Sequence, residues 1–436
     1  MNEIIKSLET INYWHNVPDY NIGFIRQDYL NKIKKALDNK LIKVIVGQRR
    51  SGKSYIVRQF IKHLIEEISV DPKNIFYLNK ELYEFEKIRT AVDLDGIIRL
   101  YKQEIKPRGK IYVFIDEVQN IDVWEKVIVS LAQHTVDNYE VFITGSNSRL
   151  LSGELASNLS GRYLVFEVFP FSYFEFLNFF NYQNNKENFI RYLEKSGLPE
   201  IYNIDSNEIQ RHYFQSLKDT ILLKDIMYRH KIRDYVLLED LFLFLLHNVG
   251  NLVSVSSIIK YYKSKKRKAD YSTIATYIAY MEEAFIIRHC PKYSIKTKEL
   301  LSGDKKYYVN DLGFRNYLFP QLKTDISAML ENFVYLHLLM AGFTVKVGYF
   351  NNFEIDFIAT KENLQIYIQI TYLLTSKQTE NREFKALEDI NDNYPKYLVS
   401  MDDITINHPK GIIHKNIWDF IETLKTISKN IIYDKL

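Results

Sequence analysis

A single cysteine, Cys290, stands in 436 residues. No intrachain disulfide can form, which fits a reducing compartment. No uncharged run approaches the roughly 18 apolar residues that a membrane-spanning helix needs. The most apolar segment, 237–249, is interrupted by Glu239 and Asp240 and reads as a buried helix. The first residues, Met1-Asn2-Glu3-Ile4-Ile5-Lys6-Ser7-Leu8-Glu9, carry acids and lack an apolar core, so they do not read as a signal peptide. A large excess of one charge is also missing. The net charge is +4, so a basic surface for a polyanion must be local. Glycine (15) and proline (9) are sparse, and that scarcity has no functional meaning. The expectation is a soluble, cytoplasmic protein with no membrane partner. Hydrophobic residues at 46% are ample for buried cores. The length suggests about three domains.

What is present begins with a phosphate-binding loop. Residues 47–54 read Gly47-Gln48-Arg49-Arg50-Ser51-Gly52-Lys53-Ser54. Gly47 and Gly52 allow a tight loop whose backbone N–H groups point at phosphate oxygens. Lys53 reaches the β- and γ-phosphates, and the Ser54 hydroxyl binds Mg²⁺. The apolar run 41–46 leads in as a strand, and residues 55–65, starting at Tyr55, follow with helical spacing. The anion site then sits at a helix N-terminus, where the dipole favours negative charge.

A second apolar run, 111–115, ends in Asp116-Glu117. Asp116 is placed to hold the Mg²⁺ ion, partly through water, and Glu117 to polarise the attacking water. A third run, 140–143, ends in Thr144-Gly145-Ser146-Asn147. Ligands meet the C-terminal ends of strands in open α/β sheets. Ser146 and Asn147 are therefore candidate contacts for the γ-phosphate or the lytic water, with a helix N-cap as the plain alternative. Further strands are expected at 75–78 and 163–168. Before the latter stands Leu159-Ser160-Gly161-Arg162, whose arginine is a candidate stabiliser of transition-state charge, in cis or from a neighbouring subunit. Apolar β-runs each followed by helical pattern predict a parallel sheet with crossover helices.

These segments, with 169–176 and Gly197-Leu198-Pro199-Glu200 after them, resemble a family of bacterial and archaeal AAA-type ATPases. In that family a P-loop core is followed by a winged helix and a restriction-endonuclease-like C-terminal domain. The resemblance implies an α/β fold with a P-loop core at 1–169, a helical lid at 170–235, a winged helix at 236–310 and the nuclease-like domain at 311–436. It implies ATP rather than GTP, and allows a homo-oligomer. In the lid, Asp225 and Arg229 read as a surface ion pair.

In the winged-helix region, helical segments at 255–262 and 271–281 flank Lys263-Ser264-Lys265-Lys266-Arg267-Lys268. Lys263, Lys265, Lys266, Arg267 and Lys268 make a candidate phosphate-contacting patch for double-stranded DNA, beside the plain reading of a solvated turn. The nuclease-like domain implies a helical Glu, a strand Asp and an acidic-x-Lys triplet, the carboxylates holding Mg²⁺. Glu331 and Asp356 match. The triplet position holds Gln369-Ile370-Thr371, which lacks both the carboxylate and the lysine, so Gln369 and Thr371 argue against cleavage. The expectation is an ATP-binding, ATP-hydrolysing AAA-type protein, with ATP and Mg²⁺ as ligands, coupled to DNA or a protein client. A DNA-binding protein switched by ATP is the alternative, and an ATP-gated nuclease is less favoured.

Overall fold

Five strands of the first part of the chain form one sheet: β1 (Ile42–Val46), β2 (Ile75–Asn79), β3 (Ile111–Asp116), β4 (Tyr139–Gly145) and β5 (Tyr163–Glu167). The computed structural model describes residues 2–148, 161–351 and 353–433. The chain divides into two compact units, Met1–Phe169 with Glu283–Phe285, and Pro170–Glu282 with Ile286–Leu436.

In the first unit the strand order is β2-β3-β4-β1-β5, and every neighbouring pair is parallel. Parallel strands bury both faces. Val44, Val113 and Val141 pack on one face with Leu94 and Ile98 of α4 (Ala91–Ile105) and Ile128 of α5 (Trp124–Ala132). Ile45, Phe114 and Phe142 pack on the other with Ile56, Phe60 and Leu64 of α3 (Lys53–Glu66). Two further helices, α1 (Asn2–Ile11) and α2 (Gln27–Lys34), precede the sheet. β4 lies between β1 and β3, so the C-terminal ends of all three share one edge. That edge carries the phosphate loop and the Asp116-Glu117 pair.

The opposite, N-terminal edge holds a buried ionic group. Lys43 is 0% and Glu140 2% exposed. They pair with each other, and Glu140 also pairs with Lys110. Burial, with Lys110 nearby, pushes the Lys43 pKa down to about 8.

The second unit begins with a mainly helical stretch: α6 (Tyr173–Phe180), α7 (Lys186–Lys195), α8 (Asn207–Thr220), α9 (Tyr235–His247), α10 (Val255–Ser264) and α11 (Tyr271–Glu283). α8 continues into a π-helical stretch, Ile221–Tyr228. There Asp225, expected at the surface, is buried; the wider i→i+5 turn changes which positions face inward. Asp311 ties this region together. Its carboxylate accepts from Ser196 Oγ and from the N–H groups of Gly197 and Gly313. Burial pushes its carboxyl up to about 6. A Cβ on Gly197 would lie 2.7 Å from the Phe171 carbonyl oxygen, so close packing, not catalysis, accounts for glycine in the Gly197-Leu198-Pro199 segment.

Eight strands complete this unit: β6 (Leu252–Val253), β7 (Ile287–Ser294), β8 (Glu299–Val309), β9 (Thr344–Phe350), β10 (Phe353–Lys361), β11 (Leu364–Ile370), β12 (Lys396–Ser400) and β13 (Ile413–Asn416). They form a single mixed sheet in the order β13-β12-β11-β10-β9-β7-β8-β6. The hairpin β7–β8 thus shares a sheet with the C-terminal strands, through the parallel pair β7–β9. The helices α12 (Gly313–Leu318), α13 (Ile326–Met340), α14 (Lys377–Glu388) and α15 (Ile417–Tyr433) belong to the same unit. Among the described residues no helix is long and apolar enough to cross a membrane.

The Lys43–Glu140 pair gives a stability prediction. Removing one charge of a buried pair costs about 3 kcal/mol. Glu140→Gln should therefore lower the urea midpoint clearly, while nucleotide affinity at the far edge of the sheet stays within about twofold.

Candidate functional site

The phosphate loop is shaped by close backbone packing. Gly47 turns the chain at φ +151°, and a Cβ there would lie 2.1 Å from the Val168 carbonyl oxygen. Only glycine fits. Gly52, at φ +95°, immediately precedes α3. Arg26, 2% exposed, donates from Nη1 to the carbonyls of Ser51 and Phe169, both at 2.9 Å, and so braces the loop. Lys53 donates to the carbonyls of Gly47 (3.1 Å) and Gln48 (3.2 Å). Its ammonium is 3.7 Å from Glu117 Oε1.

The other loop residues divide by exposure. Gln48 and Ser51 are buried, Ser54 is half-buried and Arg50 is exposed. Arg49 pairs with Glu81 at 3.0 Å. The Tyr55 ring is partly exposed and lies 4.5 Å from the Arg58 guanidinium.

Asp116, 0% exposed, closes β3. The Thr144 hydroxyl donates to its Oδ1, and the Tyr77 hydroxyl donates to its Oδ2 at 3.2 Å. Burial, then the Asp116 charge, pushes the Tyr77 hydroxyl well up, so it stays a donor. Glu117 is left-handed at φ +55°. Its N–H donates to Thr144 Oγ1 at 2.9 Å, and its carboxylate accepts from Gln119. Burial raises the Glu117 pKa, and the Lys53 charge opposes the rise. Neither Tyr77, inside an expected strand, nor Thr144, inside the Thr144-Gly145-Ser146-Asn147 segment, was assigned a role from the sequence.

Ser146 and Asn147 are buried at the end of β4, beside Gly47 through the β1–β4 register Val46↔Gly145. Among the described residues the Oγ atoms of Ser51 and Ser146 are buried without a hydrogen-bond partner. A buried unpaired polar group costs about 1–3 kcal/mol, so both hydroxyls favour a ligand with acceptor oxygens. With Lys53 adjacent they fit a phosphate. The Ser54 hydroxyl and the Asp116 carboxylate are hard oxygen donors and fit Mg²⁺.

Arg162 is placed differently. Leu159 and Ser160 of its motif lie outside the described residues. Arg162 itself is exposed, and its carbonyl accepts from Ile42 N–H at 2.9 Å. It stands at the N-terminal ends of β1 and β5, with the length of β1, roughly 13 Å of strand, between it and the phosphate loop.

The second unit gathers Glu331 and Asp356 around a lysine that no sequence motif singled out. Lys306 of β8 is 3% exposed. Its Nζ lies 2.7 Å from Glu331 Oε1, 2.7 Å from Glu354 Oε1 and 3.4 Å from Asp356 Oδ1. The Tyr308 hydroxyl also donates to Glu331. Burial works against a charged Lys306, but the three carboxylates outweigh it and push its pKa upward. Burial and then the Glu331 charge push the Asp356 carboxyl up to about 7. Gln369 is a bridge: its Oε1 accepts from Asp356 N–H (3.3 Å) and its Nε2 donates to Glu383 (3.0 Å). Thr371 is buried, and its N–H donates to the Val399 carbonyl.

The basic patch borders a cleft of about 500 Å³ lined by Arg233, Lys263, Arg267, Lys268, Asp270 and Thr273, among others. Lys263, Lys265, Lys266 and Lys268 are exposed. Arg267 is engaged: its guanidinium bonds Asp240, lies 3.5 Å from Asp234 and covers the Tyr262 ring. Arg233, exposed at the cleft, was not foreseen; it is thirty residues upstream of the run.

The sheet order, the glycine-shaped loop and the Asp116-Glu117 strand end define a P-loop, AAA-type ATPase domain. In agreement, residues 39–177 match the family model of an AAA domain, and residues 186–326 match that of a domain of unknown function. The chain is 34% identical over 383 residues to an uncharacterized protein of Haemophilus influenzae, covering 86% of this chain and 92% of that one. It is 31% identical over 404 residues to an uncharacterized protein of Methanocaldococcus jannaschii, covering 87% of each. The chain belongs to the family of these two proteins. Among solved structures it is similar to Cdc6p of Pyrobaculum aerophilum, with 14% identity, TM-score 0.32, and 73% of this chain and 97% of that chain covered. It is also similar to the ORC1 protein of Aeropyrum pernix in complex with DNA, with 13% identity, TM-score 0.32, and 71% and 96% covered. Scores this low carry no argument here.

The lysine cluster gives a pH-dependent prediction. Lys306→Met leaves the buried Asp356 and the partly buried Glu331 and Glu354 without their cation, at a cost of about 3 kcal/mol near pH 8. Asp356 already has a raised pKa of about 7, so protonation favours the folded state below that value. The variant's deficit in unfolding free energy should therefore shrink from pH 8 to pH 5. A deficit flat across that range contradicts the pairing.

Proposed function

We propose that this protein binds ATP and hydrolyses it with Mg²⁺, and that the cycle drives a conformational change acting on a polyanionic or protein client. The observation that carries the reading is the buried Lys53–Glu117 pair, 3.7 Å apart, with Asp116 beside it. Mg²⁺, when bound, neutralises phosphate charge and orients the γ-phosphoryl group. Lys53 leaves the Gly47 and Gln48 carbonyls for the β- and γ-phosphates. Ser54 and Asp116 hold the metal's oxygen shell. Glu117 accepts a proton from the attacking water. Ser146 and Asn147 face the terminal phosphate. Arg162, at the far edge of its own sheet, acts on a neighbouring copy's nucleotide if the chain oligomerises. The cytoplasm is the proposed site of action.

The arrangement of α10, α11 and the β7–β8 hairpin supports the winged-helix reading, and Arg233, Lys263 and Lys268 around one cleft support a duplex DNA contact as a second function. The sheet β7–β13 supports a restriction-endonuclease-like domain. We hold it to be non-cleaving, because the point on which Glu331, Glu354 and Asp356 converge is taken by the Lys306 ammonium.

Two experiments test these readings. Lys53→Ala should abolish nucleotide binding, and Glu117→Gln should keep binding while lowering turnover about 100-fold or more; unimpaired hydrolysis in either variant removes that residue's role. For DNA, replacing Arg233, Lys263 and Lys268 together with alanine should reduce the slope of log affinity against log salt by about 2–3. Arg267→Ala should instead lower stability, since its guanidinium is already paired. An unchanged salt slope in the triple variant discards the DNA contact.

A further inference from the structure

We propose that Thr144 is a positioning residue that couples the metal carboxylate to the catalytic base, an inference that rests on the ATPase reading above. β4 is buried along its whole length, and Thr144 is 1% exposed. Valine has the same shape and suits a buried parallel strand better. A hydroxyl here needs a reason beyond packing.

The reason is its two bonds. Thr144 Oγ1 accepts the Glu117 N–H at 2.9 Å and donates its proton to Asp116 Oδ1. One oxygen thus fixes the last residue of β3 and the residue after it. The β-branched side chain has few rotamers, so the oxygen is held in place. Glu117 needs that anchor. It is a non-glycine residue at φ +55°, a strained conformation that persists only when its surroundings enforce it. Its buried N–H has Thr144 as its partner. In that conformation the Glu117 carboxylate lies 3.7 Å from Lys53. The Tyr77 hydroxyl takes the second Asp116 oxygen at 3.2 Å. With both oxygens oriented, the remaining lone pairs of Asp116 are set before a metal arrives.

Replacing the hydroxyl by a methyl leaves Glu117 N–H unpaired and Asp116 Oδ1 unheld. The left-handed turn then loses its tether, and base and metal carboxylate shift together. Loss of such an outer partner lowers metal affinity or activity about 10–100-fold.

The test uses the full-length chain with Thr144→Val, Thr144→Ser and Thr144→Cys, and three readouts. These are ATP turnover, the ratio of ATP affinities with and without Mg²⁺, and the melting temperature without nucleotide. Thr144→Val should lose about 10–100-fold in kcat and about tenfold in the Mg²⁺ gain, with metal-free ATP affinity kept. Thr144→Ser should restore both. Thr144→Cys, a weak donor and acceptor, should fall between, and it serves as the decisive variant if valine does not fold. Wild-type kcat and Mg²⁺ gain in Thr144→Val or Thr144→Cys overturn the proposal, as does a loss confined to melting temperature. A wild-type chain that neither binds nor turns over ATP overturns the ATPase reading instead.

Discussion

Lys53 and Glu117 come within 3.7 Å of each other because β4 lies between β1 and β3, and the site depends on that pair. Both side chains are buried, so each charge needs the other while the phosphate position is open. In the proposed cycle a nucleotide changes the balance: its terminal phosphates would offer Lys53 a stronger partner, and Glu117 would then be released to a water. The loop glycines, the Arg26 brace and the Thr144 tether hold the backbone so that only these two side chains need to move.

The second unit uses buried charge in the opposite sense. Lys306 is held by the carboxylates of Glu331, Glu354 and Asp356, and the Tyr308 hydroxyl also donates to Glu331. No ligand is needed to balance it. The cluster joins β8, β10 and α13. The patch in the same unit differs again: Arg267 is spent on Asp240 and Asp234, while its neighbours stay exposed.

Local features were legible in the sequence and long-range ones were not. Runs 41–46, 75–78, 111–115 and 140–143 became β1 to β4 with shifts of one or two residues at their ends, because apolar β-branched runs bounded by turns have few other uses. The phosphate loop could be read because its chemistry needs consecutive residues. The helices at 255–262 and 271–281 extend two residues further as α10 and α11. Strand order left no trace in any one strand, so the contact of Thr144 with Asp116, 28 positions away, could not be foreseen. Lys306 reaches Asp356 across 50 positions and lies outside every motif read from the sequence. Asp225 was misplaced because a π-helical stretch breaks the 3.6-residue period on which the surface assignment relied.

Calorimetric titration of ATP into the 436-residue chain, with and without Mg²⁺, decides whether the loop is a nucleotide site. One nucleotide should bind per chain, more tightly when Mg²⁺ is present. No detectable binding under either condition, at protein concentrations near 100 times a typical micromolar Kd or about 100 μM, contradicts it: the loop then is only a structural turn, and the Lys53–Glu117 pair is simply a buried ion pair.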